Sequence, residues 1–570
     1  MLAAGAASLA PASAFAAAAD PFDLKLRGNA RILHLTDIHA QALPNHFREP
    51  NQNIGVGGAD GRPPHIVGEA FLGYYDIAPG SRPAHALTFL DFERAARRFG
   101  PLGGMAQLKT AIDALRASAG PGRSMLLDGG DLTQGSGMAN LTAGQDMIAL
   151  ANLLGVEAMT GHWEFTYGAD GIEKLIKAFK GKFLAQNVFL TDEAAMQGKP
   201  AFDTASGRVF PPYTIKTLGG RSVAVIGQAF PYVPIAHPRR FTPDWTFGIH
   251  PGKLQALVDA LRGTHKVDCV LLLSHNGMPA DLKLAAHVRG IDVILGGHTH
   301  DAVPLPVRIA NAGGATLVTN AGTAGKFIGV LDLAIGKGRV TEIAYRLMPI
   351  YSEAIRPDPA VAKAIAHWRA PHEKMLGEKL ADVETLLYRR NNFGGTVDRM
   401  ITDALAAEMD AEIVLSPGFR WGATVLPGGA FTMEDLLAET AITYPSVTMT
   451  AMTGTELKAT LEDVCDNLFN RDPYLQQGGD MARLGGMRYA CAPRARIGHR
   501  ISAMTLANGK PIEAAKSYKV ASWASVSAAQ TGKPIWEVVA GHLRRAKTIR
   551  VAADDGVKLL GVAGNPGLAA

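Results

Sequence analysis

The chain is poor in cysteine, with three in 570 residues: Cys269, Cys465 and Cys491. None stands in a CxxC pair, which excludes a thiolate zinc site. Cys269 lies inside the apolar run Val267-Asp268-Cys269-Val270-Leu271-Leu272-Leu273 and reads as a buried strand position. Cys465 and Cys491 could form a disulfide in an oxidising compartment, but spacing alone does not bring them together. Strong net charge is also missing. Lys and Arg number 57 against 52 Asp and Glu, a net +5, with no long basic run, so nucleic acid is excluded as a partner apart from nucleotides as substrates. No internal segment is long and apolar enough to read as a transmembrane helix. Charge is absent from residues 1–19, which are rich in Ala, Leu and small residues. That run is too short to span a bilayer and reads as the apolar region of a secretory signal, with Ala14-Phe15-Ala16 or Ala16-Ala17-Ala18 as cleavage options. No Lys or Arg precedes Lys25, so the basic segment of such a signal is missing. A disordered Ala-rich leader is the alternative.

What is present is ordinary globular composition, 47% apolar and 19% charged, in a chain too long for one core. From residue 29 to about 350 apolar runs alternate with helical stretches. The runs end in polar, glycine-rich turns: Arg31–Asp37, Ser124–Asp131, Val270–Asn276 and Ile291–His298. Gly104–Ala117 and Lys253–Arg262 read as helices. This is the rhythm of an α/β domain with a largely buried sheet, whose ligands sit at the carboxyl ends of the strands. Residues 42–100 break the rhythm and read as a long insertion, either a lid or a surface excursion. A polar helical stretch from Asp358 to Lys379 reads as a linker. Helices (Val397–Met409, Thr453–Leu468) and β-hairpins follow it.

Five short motifs carry the chemistry: Asp37-Ile38-His39, Gly130-Asp131, Gly161-His162-Trp163-Glu164, His275-Asn276 and Gly297-His298-Thr299-His300. Each alone is weak. All five in order, most of them closing an apolar strand, predict a metal site. Mixed carboxylate and imidazole suits Mn, Fe or Zn, and a carboxylate such as Asp131 can bridge two ions. Two ions about 3.5–4 Å apart activate water and clamp the charge of an in-line displacement.

In these motifs the chain resembles the 5′-nucleotidase branch of the calcineurin-like metallophosphoesterases over residues 29 to about 550. The resemblance implies an N-terminal metallophosphoesterase β-sandwich flanked by helices (20–352), a helical linker (353–379) and a smaller C-terminal α/β substrate domain (380–570). It implies one metal held by Asp37, His39, Asp131 and His300, and another held by Asp131, His162, His275 and His298. The third motif departs from the family's Gly-Asn-His-Glu-Phe-Asp. Here the Asn ligand is His162, the catalytic His is Trp163 and its supporting Asp is Thr166. Trp cannot protonate a leaving group. A sugar alkoxide benefits from a proton donor, whereas a thiol, with a pKa near about 8.5, leaves as an anion. The segment Gly161-His162-Trp163-Glu164-Phe165-Thr166-Tyr167-Gly168 is similar to the SoxB-type thiosulfohydrolases. That resemblance implies release of sulfate from a cysteine S-thiosulfonate on a SoxYZ-like carrier in the periplasm, with manganese as cofactor. Asp131, Trp163 and Arg420 are the residues expected at the reacting groups, and Arg420, Trp163 and Arg488 those expected to contact substrate. Arg420 stands in Ser416-Pro417-Gly418-Phe419-Arg420-Trp421 and Arg488 in Gly486-Met487-Arg488-Tyr489. Gln477–Asp480 and Asn391–Gly395 are further candidate substrate-contact loops that read more readily as ordinary glycine-rich turns, and Trp523 and Tyr444 read as core aromatics or relics of a base-binding sandwich. Two readings stay open beside this one. They are a periplasmic 5′-nucleotidase or cyclic nucleotide phosphodiesterase, and a catalytically silent anion- or partner-binding protein.

Overall fold

The computed structural model describes residues 24–527, 531–552 and 556–569, so the signal-like run lies outside the described residues. Two compact units emerge. Among the described residues, one comprises 24–44, 101–134 and 141–368; the other comprises 45–100, 135–140 and those from 369 onward.

The first unit is built on two six-stranded sheets. In one, Ala30–Leu35 lies between Ser124–Asp128 (parallel) and Phe327–Gly336 (antiparallel), and Ala158–Met159 continues beside Ser124–Asp128. In the other, Arg221–Gln228, Cys269–Ser274, Val293–Gly296 and Gly314–Asn320 run parallel. The central strands are buried along their whole length, as their continuous apolar runs require: Ala30–Leu35, Cys269–Ser274 and Val293–Gly296 have no exposed residue. Helices Met105–Ala119 and Pro251–Gly263 match the sequence reading to within two residues. Parallel strands all point their carboxyl ends one way. The five metal motifs follow Leu35, Asp128, Met159, Ser274 and Gly296, so every one occupies such an end. Among the described residues no helix is long and apolar enough to cross a membrane.

The second unit holds small sheets of three, four and three strands with helices Thr396–Met409, Met433–Thr440, Gly454–Phe469 and Ile535–Ala546. Residues 42–100 are neither a lid loop nor a plain excursion. They contain helices Gly68–Tyr75, Arg82–Leu87 and Phe92–Phe99, and Ile54 and Val56 pack into this unit's core with Leu457, Leu461 and Phe469. The sequence concealed this because the partners of Ile54 and Val56 lie some 400 residues downstream, and the helices that follow are short and glycine- and proline-flanked. Trp523 and Tyr444 are core residues, 3% and 1% exposed, and the Trp523 indole N–H donates to Ser416 Oγ at 2.7 Å.

Candidate metal centre

Five strand-end turns of the first unit converge on the Asp131 carboxylate. Its Oδ2 lies 3.0 Å from His275 Nε2, 3.2 Å from His162 Nδ1 and 3.3 Å from His39 Nε2. Asp37 Oδ1 lies 3.4 Å from His300 Nε2 and 3.8 Å from His275 Nε2. Side-chain atoms of Asp131, His162, His275 and His298 fall within 4.8 Å of one another, as do those of Asp37, His39, Asp131 and His300. The seven residues expected as ligands are thus brought together in two buried groups that share Asp131.

Local backbone geometry explains how they converge. Asp37, His39, Asp131, His298 and His300 all have left-handed φ, between 48° and 72°. Such a conformation costs a non-glycine residue about 1–3 kcal/mol and persists where surrounding contacts over-determine it. Those contacts are visible. The His298 N–H donates to both Asp37 carboxylate oxygens at 2.9 and 3.0 Å, and Thr36 Oγ1 donates to Asp37 Oδ2 at 2.6 Å. Two glycines are required by crowding. A Cβ on Gly297 would stand 2.3 Å from Thr36 Oγ1, and one on Gly130, at φ 97°, would stand 3.0 Å from His275 Nδ1.

A second layer orients the ligands. The Nδ1–H groups of His275 and His39 donate to the carbonyls of Gly129 (2.7 Å) and Gln134 (3.1 Å), which leaves each Nε2 with a lone pair facing the centre. Glu164 accepts from the backbone N–H groups of His162 (2.9 Å), Leu132 (2.8 Å), Thr133 (3.2 Å) and Asp131 (3.3 Å). One carboxylate therefore ties the turn of Asp131 to the turn of His162. Asp281, near the start of helix Met278–His287, braces the turn of His275 on the other sheet and crowds the strand end that leads to His298. Its Oδ1 accepts from Ser274 Oγ (2.7 Å) and Asn276 Nδ2 (3.0 Å), flanking His275. Its Oδ2 abuts Gly296, where a Cβ would stand 3.0 Å away, just before His298. Gln228 and Gln186 extend this chain, at 2.9 Å to Asn276 and 2.6 Å to each other. Glu164 was visible in its motif but had no role assigned. An acidic residue in a helix's first turn signals only a favourable dipole contact, so nothing in sequence marks Asp281.

Burial and charge act against each other here. Burial raises Asp37 to about 6 against the pull of His275. Burial disfavours the His275 cation, but Asp131 and Asp37 beside it push it up to about 10. Burial also favours protonating Asp131, and His162, His275 and His39 overcome this and hold it well below the usual carboxylate range. Burial lowers His162 to about 4. Without metal, then, protons supply the positive charge that the two carboxylates demand. The residues fit divalent ions. The donor set is nitrogen and oxygen, the His162 Nε2 is buried without a hydrogen-bond partner, and His39 Nε2 faces His300 Nε2 at 3.0 Å.

Trp163 is 5% exposed and follows His162 on a short 3-10 turn. Its backbone N–H donates to Asp131 Oδ1 at 2.7 Å, and its ring meets His237 edge-on at 4.6 Å. Thr166 is buried beside it in sequence. His237 was not anticipated; burial lowers it to about 3, so it is a neutral imidazole at pH 7.

Arg420 and Arg488 belong to the second unit. Arg420 is 8% exposed, with Nε 3.4 Å from Asp480 Oδ1 and Nη2 donating to the Gly479 carbonyl at 2.6 Å. Arg390 and Arg483 approach the same carboxylate at 3.4 and 3.2 Å. Burial favours a protonated Asp480, and the three arginines overcome it and hold its pKa down. The segment 477–480 is therefore more than an ordinary turn: its last residue anchors an arginine cluster. Asn392, in the other glycine-rich segment, donates to Asp480 Oδ1 at 3.3 Å. Arg488 is exposed on strand Met487–Cys491.

A buried pair of metal sites bridged by one aspartate, at the carboxyl ends of strands from two sheets, defines a metal-dependent hydrolase with the calcineurin-like architecture. Comparison with known proteins agrees. Residues 30–302 match the calcineurin-like phosphoesterase family and residues 381–538 the 5′-nucleotidase C-terminal domain. Among solved structures, the sulfate thiohydrolase SoxB of Thermus thermophilus in complex with glycerol is similar at 37% identity. It has a TM-score of 0.87 and covers 94% of this chain and 98% of that one. A 5′-nucleotidase precursor, also from Thermus thermophilus, shares the fold, at 21% identity, TM-score 0.72 and 94% and 99% coverage. The rat 5′-nucleotidase is 26% identical over 68% of this chain and 69% of that protein, and the chain spans 54% of a Naja atra venom 5′-nucleotidase. The chain belongs to the 5′-nucleotidase family of calcineurin-like phosphoesterases, in its SoxB-type branch.

Proposed function

We propose that the chain is a periplasmic thiosulfohydrolase that releases sulfate from a cysteine S-thiosulfonate on a SoxYZ-like carrier, with two manganese ions. The observation that carries this reading is Trp163. It stands where the family's proton-donating His is expected, is buried and is locked by its backbone bond to Asp131. A leaving group that departs as a stable anion needs no acid there, and a persulfide or thiolate is such a group. Likeness to a protein described as a sulfate thiohydrolase supports the same conclusion.

In this reading Asp37, His39, Asp131 and His300 hold one ion, and Asp131, His162, His275 and His298 hold the other. Ions so held supply a water nucleophile at neutral pH and neutralise the charge that develops on a sulfonate. Asp131 fixes the spacing of the two groups because both share its carboxylate. The Gly129 and Gln134 carbonyls hold His275 and His39 in the tautomer that presents Nε2. Trp163 closes the side next to His162 and denies a proton donor to a sugar leaving group. Arg420 and Arg488 are the guanidinium groups assigned to the anionic substrate.

The test is a paired turnover assay on manganese-loaded protein. One arm offers a carrier cysteine S-thiosulfonate and reads sulfate; the other offers AMP and reads phosphate. Sulfate release with negligible phosphate is the expected result. Brisk phosphate release overturns the thiosulfohydrolase reading and returns the chain to the nucleotidases that are its relatives in sequence.

A further inference from the structure

Two of the three cysteines, 26 residues apart in sequence, meet in the core of the second unit. Cys465 is on helix Gly454–Phe469 and Cys491 ends strand Met487–Cys491. Their sulfurs are 3.7 Å apart, and both side chains are fully buried among Leu461, Phe469, Tyr489 and Ile501. Cys269 is also fully buried, on a strand of the first unit, so each of the pair has one possible intramolecular partner. In a chain with so few cysteines, contact between two of them is itself notable. The sulfurs are in van der Waals contact at 3.7 Å, against about 2.05 Å when bonded.

We propose that Cys465 and Cys491 are an oxidation site, joined as a disulfide in the mature protein, and that with Cys269 buried the enzyme presents no thiol to its substrate. The oxidant is a disulfide of the glutathione or exchange-catalyst class, met while the chain folds and the thiols are still accessible. One cysteine thiolate attacks that disulfide and expels a thiol; the second attacks the mixed disulfide and expels the other. Two electrons pass to the oxidant, which leaves as two thiols carrying the two protons. The site has a chemical purpose that rests on the function proposed above. A free thiolate attacking the carrier sulfur of a cysteine S-thiosulfonate forms a mixed disulfide and expels thiosulfate, destroying the substrate and trapping the enzyme. In the folded protein burial withholds all three thiols from that reaction, and the bridge keeps Cys465 and Cys491 withheld during folding and local opening. The bridge also staples the helix to the strand that carries Arg488.

The test counts thiols in the full-length protein, exported to an oxidising compartment and unfolded in guanidinium without reductant. One reactive thiol per chain is expected, rising to three with dithiothreitol. Non-reducing digestion should give a linked peptide containing Cys465 and Cys491, two hydrogens lighter than the separate pair. Reduction should lower the melting temperature by roughly 5 °C or more. A second sample, made reduced and refolded in oxidised and reduced glutathione, separates the site from the compartment. If it falls to one thiol while the exported protein keeps three, the two cysteines can be joined but are not joined in the mature protein, and the proposal fails whatever the substrate. Three thiols in both samples overturn the proposal.

Discussion

Replacing Glu164 should dismantle the metal centre without touching a ligand. Its carboxylate accepts four backbone N–H groups, those of Asp131, Leu132, Thr133 and His162, all in buried turns. A buried donor stripped of its acceptor costs about 1–3 kcal/mol. After partial relaxation, Glu164→Ala should therefore cost on the order of 5 kcal/mol. For a unit of this size that is a fall in melting temperature on the order of 10 °C. Glu164→Gln separates packing from charge. Its amide oxygen can still serve Leu132 and Thr133, but its NH2 group then faces the N–H groups of Asp131 and His162, donor against donor. The expected result is a smaller fall in melting temperature and a clear loss of bound metal, because Asp131 serves both groups and His162 one. The assay is metal content by emission spectroscopy after dialysis against a weak chelator, paired with a thermal melt. If Glu164→Gln keeps two ions per chain and melts within about 2 °C of the parent, the two turns are held by something else.

Trp163→His restores an imidazole where the family places one. Phosphate release from AMP should rise at least about tenfold, the low end of what a positioned acid contributes; an unchanged rate removes Trp163 as the determinant of leaving group. Asp281→Leu should lose ions from the group containing His275 and His298, whereas Asp281→Asn, which keeps an acceptor for Ser274 and Asn276, should retain them; equal retention by both variants refutes the bracing role. The pH profile tests His34, whose ring nitrogens are buried without hydrogen-bond partners and whose pKa burial lowers from 6.5 to about 3. Between those values the unfolded chain binds a proton that the folded chain does not, so stability is full above 6.5 and is lost as pH falls through about 3. His34→Gln should flatten the acid limb of a denaturation series by up to roughly 4–5 kcal/mol; an unchanged limb means that His34 does not carry the acid sensitivity.

The seven ligand-type residues were legible because each pair or single residue closes an apolar run, and a parallel sheet leaves only its strand ends for such side chains. What was not legible depends on distance in sequence. Ile54 and Val56 belong to a core whose other members follow residue 390, and no local pattern announces that. Asp480 read as part of a turn because its three arginines come from three separate segments. The nearness of Cys465 and Cys491 is set by a helix packing on a sheet strand, which spacing does not encode. Asp281 and His237 lie in no recognisable motif, and only burial distinguishes them.

The same crowding that makes the centre legible also fixes what can occupy it. Five ligand-type residues sit in left-handed turns, two acidic groups lie a few ångströms apart in a buried site, and both glycines that permit the approach are hemmed by Thr36 or His275. A neutral molecule leaves the negative charge of Asp131 and Asp37 unanswered, and without an ion it falls to protons on imidazoles such as His275 to answer it. Small divalent cations answer it fully while satisfying the imidazole nitrogens. Strain, burial and charge therefore point to the same occupant, and the turns are held ready for it by Glu164 on one sheet and Asp281 on the other. The distinctive step lies beside this machinery rather than within it. The chain keeps the ligand-type residues expected of a phosphoesterase and has an indole, Trp163, beside one of them where the family's proton donor is expected, and the proposed choice of leaving group rests on that one change.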